Sequence, residues 1–507
     1  MGITQRARGV LRRRDPAEPV GTRNAVYGPA LPEESTVHLV MDLGLRIGEV
    51  QMASGAGASD VTATIIGVVS AYGLPHCEVD VIYTSITVSC YRGTEEVPIT
   101  SLRVVRNRSI DYTRLADVED LVRKITAGEL SASDAYSELD KITSAPHPFP
   151  RWVATLAWAG MAASLSVLLG GGDPLLAVVA AVATALVDRI GRFLNKRALP
   201  FFFQQAVGGV IATSIALACS MLRILPTPAL AVAASIIVLL SGMTVVGSMQ
   251  DAITGYNVTA AGRIAELALM SAGLIAGVVL SLYVGVQVFD QLGGDTAELL
   301  QKVGTARIES TTALDLPVQA LAGASTSACF ALASYAPPRP LVIAGLGGAV
   351  AAGVSGTLTN VVGLNAVLAG AVATTVVGVA GGVVTRRLRI PALVIAVSGV
   401  APLLPGLATY RGLYEIAVVR DPAGMSTLML AAATGLALGA GVVLGEYLAQ
   451  PVRTRLGRLE RRLSGPRLSG PLRPTRRRRS EQDLGGVGPH ERRGRWTDWL
   501  ASPAGSE

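Results

Sequence analysis

Charged side chains are scarce in this chain, with Asp, Glu, Lys and Arg making up 16% of its 507 residues against roughly a quarter in soluble globular proteins. So few charges cannot cover the surface of an ordinary soluble protein of this length, and the mean hydropathy of +0.46 points the same way. Aromatic residues are scarcer still, at 5%, which argues against a large ligand-filled apolar core. What remains is mainly Ala, Val, Leu and 56 glycines, a mixture that lets transmembrane helices approach closely. The four cysteines, Cys77, Cys90, Cys219 and Cys329, form no C-x-x-C pair, and the four histidines show no ligand spacing. Neither a disulfide framework nor a zinc site is signalled, and the cysteines read as small buried apolar residues.

A formal charge of +7 raises the question of nucleic acid, and the position of the charge answers it. Beyond Gln450 stand 14 arginines against six carboxylates, so the tail alone carries the excess. No aromatic stacking pattern or recognisable nucleic-acid fold accompanies it. A Pro/Gly/Ser/Arg-rich segment of this kind, residues 451–507, reads as a disordered cytosolic tail attracted by anionic lipid. Residues 1–34 read as a second disordered arm, polar and Arg-rich, without an apolar run at signal-peptide range.

Residues 35–145 have the patterning of a small cytosolic α+β domain. Val37 to Met52 has helical apolar spacing, and Ser59-Asp60 is placed to cap a second helix reaching Tyr72. Cys77 to Cys90 and Glu96 to Val105 are rich in Val, Ile, Thr and Tyr, with Arg92-Gly93-Thr94 as a turn between two strands. Leu115 to Ala127 and Ala132 to Ile142 return to helical spacing, and the Pro-rich run 145–150 forms a stiff linker. The Gly-rich stretch Ser54 to Asp60 precedes a helix but lacks the lysine of a P-loop. A hydrolase site from Ser59, His76, Glu78 and Asp80 is conceivable on paper only.

After the linker come ten apolar segments, at about 152–170, 174–188, 200–222, 228–250, 264–289, 316–336, 340–358, 363–385, 390–411 and 426–449. Most reach the roughly 20 residues that span a bilayer. The chain is therefore expected to be a polytopic α-helical membrane protein. Arg189, Arg192, Lys196 and Arg197 follow the second span, Arg386, Arg387 and Arg389 the eighth, and the Arg-rich tail the tenth. The positive-inside rule then sets both termini in the cytoplasm, and the loop 290–315 outside with Asp290, Asp295, Glu298 and Glu309.

The membrane part repeats itself. Leu239-Leu240-Ser241-Gly242 corresponds to Leu403-Leu404-Pro405-Gly406, and Gly277-Val278-Val279-Leu280 to Gly441-Val442-Val443-Leu444, both at an offset of 164. Two repeats, 151–290 and 315–450, thus hold five helices each. Because five is odd, the second copy enters the membrane from the opposite side, which is the inverted-repeat plan of secondary transporters.

The same offset sets Asp251 on Glu415. A carboxylate at membrane depth is a candidate proton carrier, and a solvated helix end is the plain alternative for each. Gly242, Gly247 and Gly255 in one copy, and Pro402, Pro405, Gly406 and Gly412 in the other, mark helices broken near the bundle interior or simply kinked. Free backbone groups at a break suit the charged ends of an amino acid. Gln204, Gln205, Asn360 and Asn365 are further polar candidates for the pathway or for bridging helices. Arg263 and Glu266 read as a local ion pair, and Glu446 with Tyr447 as an interface anchor.

In Gly48-Glu49-Val50 through Ser54-Gly55-Ala56, the helix 59–72 leading to Tyr72-Gly73-Leu74, the strand Val79 to Ser89, and Leu404-Pro405-Gly406, the chain resembles the threonine/serine exporters of the ThrE type. The resemblance covers about residues 35–450. It implies a cytosolic domain followed by ten helices in two halves, and export of L-threonine and L-serine driven by the proton motive force, without a cofactor or a metal. It carries over no binding residue, and Ser241 where the second copy has Pro405 sets the two signatures apart. The expected partners are the amino acids, protons and anionic lipid, with a homo-oligomer left open. A transporter of another small polar solute such as a dicarboxylate, and a membrane-anchored enzyme with its site in 35–143, remain as alternatives.

Reporter fusions after residue 150 and after residue 460 are both expected to give a cytosolic signal. A periplasmic signal at either position overturns this topology.

Overall fold

The computed structural model describes residues 33–449 apart from 75, 92–96, 107–109, 171–172, 226, 240–241, 293–314 and 389. The Arg92-Gly93-Thr94 turn, the tail 451–507, most of the outward loop and the arm up to residue 32 lie outside the described residues.

The N-terminal region begins with α1 (Glu34–Ala53) and α2 (Ala58–Ala71), packed on each other through small residues. A side chain on Gly44 or Gly48 would meet Ile65 of α2. A three-stranded antiparallel sheet follows, β1 (Cys77–Ile82), β2 (Ser85–Cys90) and β3 (Ile99–Val104), with β2 central. Cys77 to Cys90 is therefore a tight hairpin rather than one strand. Its turn is made by Tyr83 and Thr84, with Tyr83 in left-handed backbone conformation at φ 55°. No Gly or Asn marks that turn, so the sequence conceals it. The helices α3 (Tyr112–Thr126) and α4 (Ala132–Ser144) are capped by the side chains of Asp111 and Ser131, which accept the amides of Arg114 and Asp134. Val37, Met41, Leu45, Ile65, Val81 and Ile86 form the core between α1, α2 and the sheet.

The first half of the membrane part comprises α5 (Arg151–Leu168), α6 (Pro174–Lys196), α7 (Phe201–Met221), α8 (Pro228–Leu239), α9 (Gly242–Thr254) and α10 (Asn257–Gln291). The second half comprises α11 (Leu316–Ala333), α12 (Pro338–Asn360), α13 (Ala366–Leu388) and α14 (Ala392–Val400), which runs into a 3₁₀ turn (Ala401–Leu403). It is completed by α15 (Gly406–Tyr414), a π turn (Glu415–Val419) and α16 (Ala423–Ala449). Among the described residues eight helices are long and apolar enough to cross a membrane, and two bent pairs bring the number of candidate spans to ten. The outer faces carry exposed large apolar side chains such as Leu156, Val178, Val182 and Leu280, which water would not tolerate and lipid does. The protein is a multi-pass membrane protein.

The two segments expected to be single spans, 228–250 and 390–411, are the two bent pairs. Residues 228–239 meet 244–254 at 51°, and 392–403 meet 406–412 at 47°. In the second pair the bend falls at Pro405, which cannot donate the helical hydrogen bond. The offset of 164 found in the sequence recurs in the element boundaries. Pro174 and Pro338 each open a helix, Lys196 and Asn360 each close one, Pro228 and Ala392 each open a bent pair, and Gly242 and Gly406 each resume after the bend. Two spans are longer than their apolar stretches. α6 continues through Arg189, Arg192 and Lys196, and α10 begins at Asn257, before its apolar run.

Within each half the third and fifth spans make the closest approach, α7 to α10 and α13 to α16, and equivalent glycines permit it. A side chain on Gly277 would collide with the Ala206 carbonyl oxygen, and one on Gly441 with Thr374 and the Ala371 carbonyl. Backbone cannot move aside as a flexible side chain can. Gly277→Ala and Gly441→Ala are each expected to abolish recovery of monodisperse protein in detergent, whereas Gly191→Ala, whose added methyl meets nothing within 4 Å, is expected to leave it unchanged.

Candidate functional site

Of the two readings open for Asp251, a carboxylate at membrane depth and a solvated helix end, the structure excludes the solvated one, since Asp251 is fully buried. One carboxylate oxygen accepts the Ala58 amide at 2.7 Å, and the other faces the Arg263 guanidinium at 3.1 Å. Arg263, itself buried, donates through a second nitrogen to the Ala56 carbonyl at 3.0 Å. The ion pair is thus closed by the backbone of the Gly-rich turn between α1 and α2. This also explains why Ser59 and Asp60 do not cap α2. Its N-cap is Gly57, which offers no side chain, and the first free amide is satisfied by Asp251 from 193 residues away. A carboxylate at a helix N-terminus gains from both the free amides and the helix dipole.

The turn is shaped for this contact. Gly55 has φ 94°, a left-handed conformation that glycine adopts freely. A side chain on Gly57 would strike Gln250, and one on Gly247 would strike Arg263. Around the pair lies a ring of further polar contacts between the N-terminal region and the end of α9 and start of α10. The Gln250 amide donates to Asp60 at 2.7 Å and the Tyr256 hydroxyl bonds Thr62 at 3.1 Å. Thr259 accepts the Tyr83 amide and donates to the Val81 carbonyl, both at 3.0 Å. Tyr83 donates to Glu266 at 3.3 Å, so Arg263 and Glu266, read as a local pair, both reach across to the N-terminal region. Thr259 and Arg263 are helical because they dock there, although they precede the apolar run.

A second contact joins this region to α11 and α12. The Tyr112 amide donates to the Ser334 carbonyl at 2.9 Å and Thr113 to the Tyr335 carbonyl at 2.6 Å. His147 of the Pro-rich run bonds Asp111 at 2.8 Å and stacks on Tyr335 at 4.3 Å. Glu119 on α3 is a titratable group that the sequence reading passed over. Burial pushes its carboxyl up to about 7, Arg123 draws it down, and the nearby Asp60 charge adds to the rise.

The two bends meet in the bundle. Gly406 sits against Ile237 of α8 so closely that any side chain would collide with it. Leu407, Tyr410 and Tyr414 of α15 join one buried cluster with Ala229, Val232 and Ile236 of α8. Gly242 resumes the helix after the first bend and Pro405 precedes α15. Glu415 opens the π turn, half-buried, and accepts the Thr427 hydroxyl at 2.8 Å. Asp251 and Glu415 occupy equivalent places, and each engages a different set of partners. Gln204 donates to the Leu199 carbonyl at 2.6 Å, and Gln205 reaches the Leu239 carbonyl at the first bend at 3.4 Å. Asn365 is exposed and caps α13, its side chain accepting the Leu368 amide at 2.9 Å, so it stands apart from the others.

Ten candidate spans, two of them broken where they meet, define the class, a multi-pass membrane protein. Two family models match the chain, "Putative threonine/serine exporter" over residues 42–285 and "Threonine/Serine exporter, ThrE" over residues 319–448. The chain is 41% identical over 463 residues to a "Probable threonine/serine exporter" of Mycobacterium tuberculosis, covering 90% of this chain and 84% of the relative. It is 37% identical over 430 residues to a "Threonine/serine exporter" of Corynebacterium glutamicum, covering 83% and 85%. It is also 25% identical over 185 residues to a "Probable succinate transporter subunit YjjP" of Klebsiella aerogenes, covering 36% and 70%. No solved structure matches. The chain belongs to the threonine/serine exporter family, a family of transporters and not of enzymes.

Breaking a buried ion pair by removing one partner costs about 3–5 kcal/mol. Asp251→Asn is therefore expected to lower the thermal stability of the detergent-solubilised protein markedly. Asp251→Asn combined with Arg263→Gln is expected to cost less than the two single changes added together. Strict additivity in the cycle contradicts the pairing.

Proposed function

We propose that the chain exports L-threonine and L-serine across the bacterial cytoplasmic membrane, driven by the proton motive force, with both termini cytoplasmic. The observation that carries the substrate is the likeness to two proteins named as threonine/serine exporters over more than four-fifths of the chain.

The mechanism we attach to it is alternating access by two opposed five-span halves, 151–290 and 315–450, preceded by a cytosolic α+β domain at 35–145. Two contacts support the opposed arrangement. The N-terminal region touches the junction of α9 with α10 through Asp251 and Thr259, and the junction of α11 with α12 through Ser334 and Tyr335. By the offset of 164, the junction of α11 with α12 corresponds to that of α5 with α6, which lies one span away from the side where α5 begins. Copies of like orientation would put that junction on the far side from the N-terminal region.

In this arrangement Asp251 stands at the inner end of one bent span and Glu415 at the outer end of the other. Asp251 holds the cytosolic domain to the inner gate through Arg263 and the Ala58 amide. Glu415, half-buried and accepting a hydroxyl, with no cation paired to it among the described residues, is the carboxylate that exchanges the coupling proton. Anionic lipid at the basic tail supplies a further contact outside the transport path.

Counterflow in proteoliposomes tests the reading. Vesicles preloaded with threonine are expected to accumulate labelled threonine and serine, and not succinate, and an imposed pH gradient to drive net movement. Glu415→Gln is expected to abolish the gradient-driven flux while leaving threonine/threonine exchange measurable. Succinate counterflow without threonine counterflow overturns the substrate, and gradient-driven flux at the wild-type rate in Glu415→Gln overturns the role of Glu415.

A further inference from the structure

An open-mouthed cavity of about 280 Å³ lies in the first half, among α5, α6, α7 and α8. At about 30 Å³ of liquid volume per water it has room for about nine waters, the scale of a small free amino acid rather than a peptide. Thr184, Asp188 and Arg192 line it and stand four residues apart, so they form one stripe along α6. Asp188 and Arg192 bond each other, and Arg192 also donates to the Thr155 hydroxyl and, at 3.3 Å, to the Arg151 carbonyl. The Thr184 hydroxyl is buried without a hydrogen-bond partner among the described residues. Buried polar groups are rarely left so unless something else completes them. On the facing wall stands Leu239, the last residue of α8, whose carbonyl accepts the Gln205 side-chain amide at 3.4 Å and lies at the negative end of the helix dipole.

The fold does not demand these polar groups. At the offset of 164, Thr184, Asp188 and Arg192 correspond to Gly348, Ala352 and Gly356, and Gln204 and Gln205 to Leu368 and Ala369. The second half carries small or apolar residues at these five positions, so neither the charges nor the hydroxyl of this stripe is needed to pack the helices.

Resting on the amino-acid export reading, we propose that this cavity receives the transported amino acid as its zwitterion. The α-ammonium group lies between Asp188 and the carbonyl end of α8, the α-carboxylate on Arg192, and the side-chain hydroxyl on Thr184. Entry of the zwitterion opens the Asp188–Arg192 pair and supplies each charge with a new partner, so no charge is left uncompensated. Trp158 and Val238 in the same wall cover the apolar remainder of the ligand. The Thr184 contact selects hydroxy amino acids over alanine, because a site built to bond a hydroxyl discriminates against the analogue that lacks it.

The test is counterflow of threonine, serine and alanine by the purified full chain in proteoliposomes, comparing the wild type with Thr184→Val and Asp188→Asn. Thr184→Val keeps the branched shape and removes only the hydroxyl. It is expected to raise the half-saturating concentration of threonine and serine about tenfold and that of alanine less than twofold. Asp188→Asn is expected to abolish exchange of all three, and the threonine-dependent change in Trp158 fluorescence with it. If Asp188→Asn fails to fold, Thr184→Val decides alone. Wild-type exchange together with an unaltered threonine-to-alanine preference in Thr184→Val overturns the site and leaves the export reading standing. A wild type that exchanges no amino acid overturns the export reading, and the site falls with it.

Discussion

A buried carboxylate facing a buried guanidinium, closed on both sides by the backbone of a glycine-rich turn, ties the N-terminal region to the membrane bundle. Asp251 and Arg263 would be costly in a protein interior if either stood alone. The amide of Ala58 and the carbonyl of Ala56 complete them, and both are available because Gly57 provides no competing cap and Gly55 takes a left-handed turn. The N-terminal region is therefore held at the end of the first bent span.

The second constraint is small size where helices meet. Gly277 and Gly441 let the third and fifth spans of each half touch through backbone, and Gly406 lets the second bent span rest on Ile237 of the first. Van der Waals packing of small residues is the main adhesive available between helices in lipid, where no hydrophobic gain distinguishes a neighbour from an acyl chain. The scarcity of charge and of aromatics in the sequence has the same origin. Polar groups gather in a few places, in the docking ring around Asp251, at Glu415 with Thr427, and along α6.

Much of this was legible from periodicity and composition, and what was not has identifiable reasons. The apolar segments, the offset of 164 and the importance of Leu239 to Gly242 and Leu403 to Gly406 are local features of spacing. A bend leaves the hydropathy of a span unchanged, so in 228–250 and 390–411 only the glycines and prolines of the two signatures hinted at a break or a kink, and its angle was not legible. The Tyr83-Thr84 turn has no Gly or Asn to reveal it. Asp251 looked like a helix-end carboxylate because its partners, Ala58 and Arg263, come from a region far away in sequence and from a helix turn that its apolar run does not include. Asn365, picked out for its polarity, is a helix cap, a role that Asn fills at many helix starts. Of the stripe Thr184, Asp188 and Arg192 only Arg192 was legible, and only as loop charge, since the cavity the three line arises from four helices together.

Everything proposed for transport depends on the two halves facing opposite ways. Ala198, between α6 and α7, and Val362, between α12 and α13, are equivalent at the offset of 164, and both are exposed. With Cys77, Cys90, Cys219 and Cys329 replaced, Ala198→Cys and Val362→Cys can be labelled one at a time in intact cells with a membrane-impermeant maleimide. The opposed arrangement predicts that Val362→Cys is labelled from outside and that Ala198→Cys is labelled only after the membrane is opened. Labelling of both positions from the same side would contradict it.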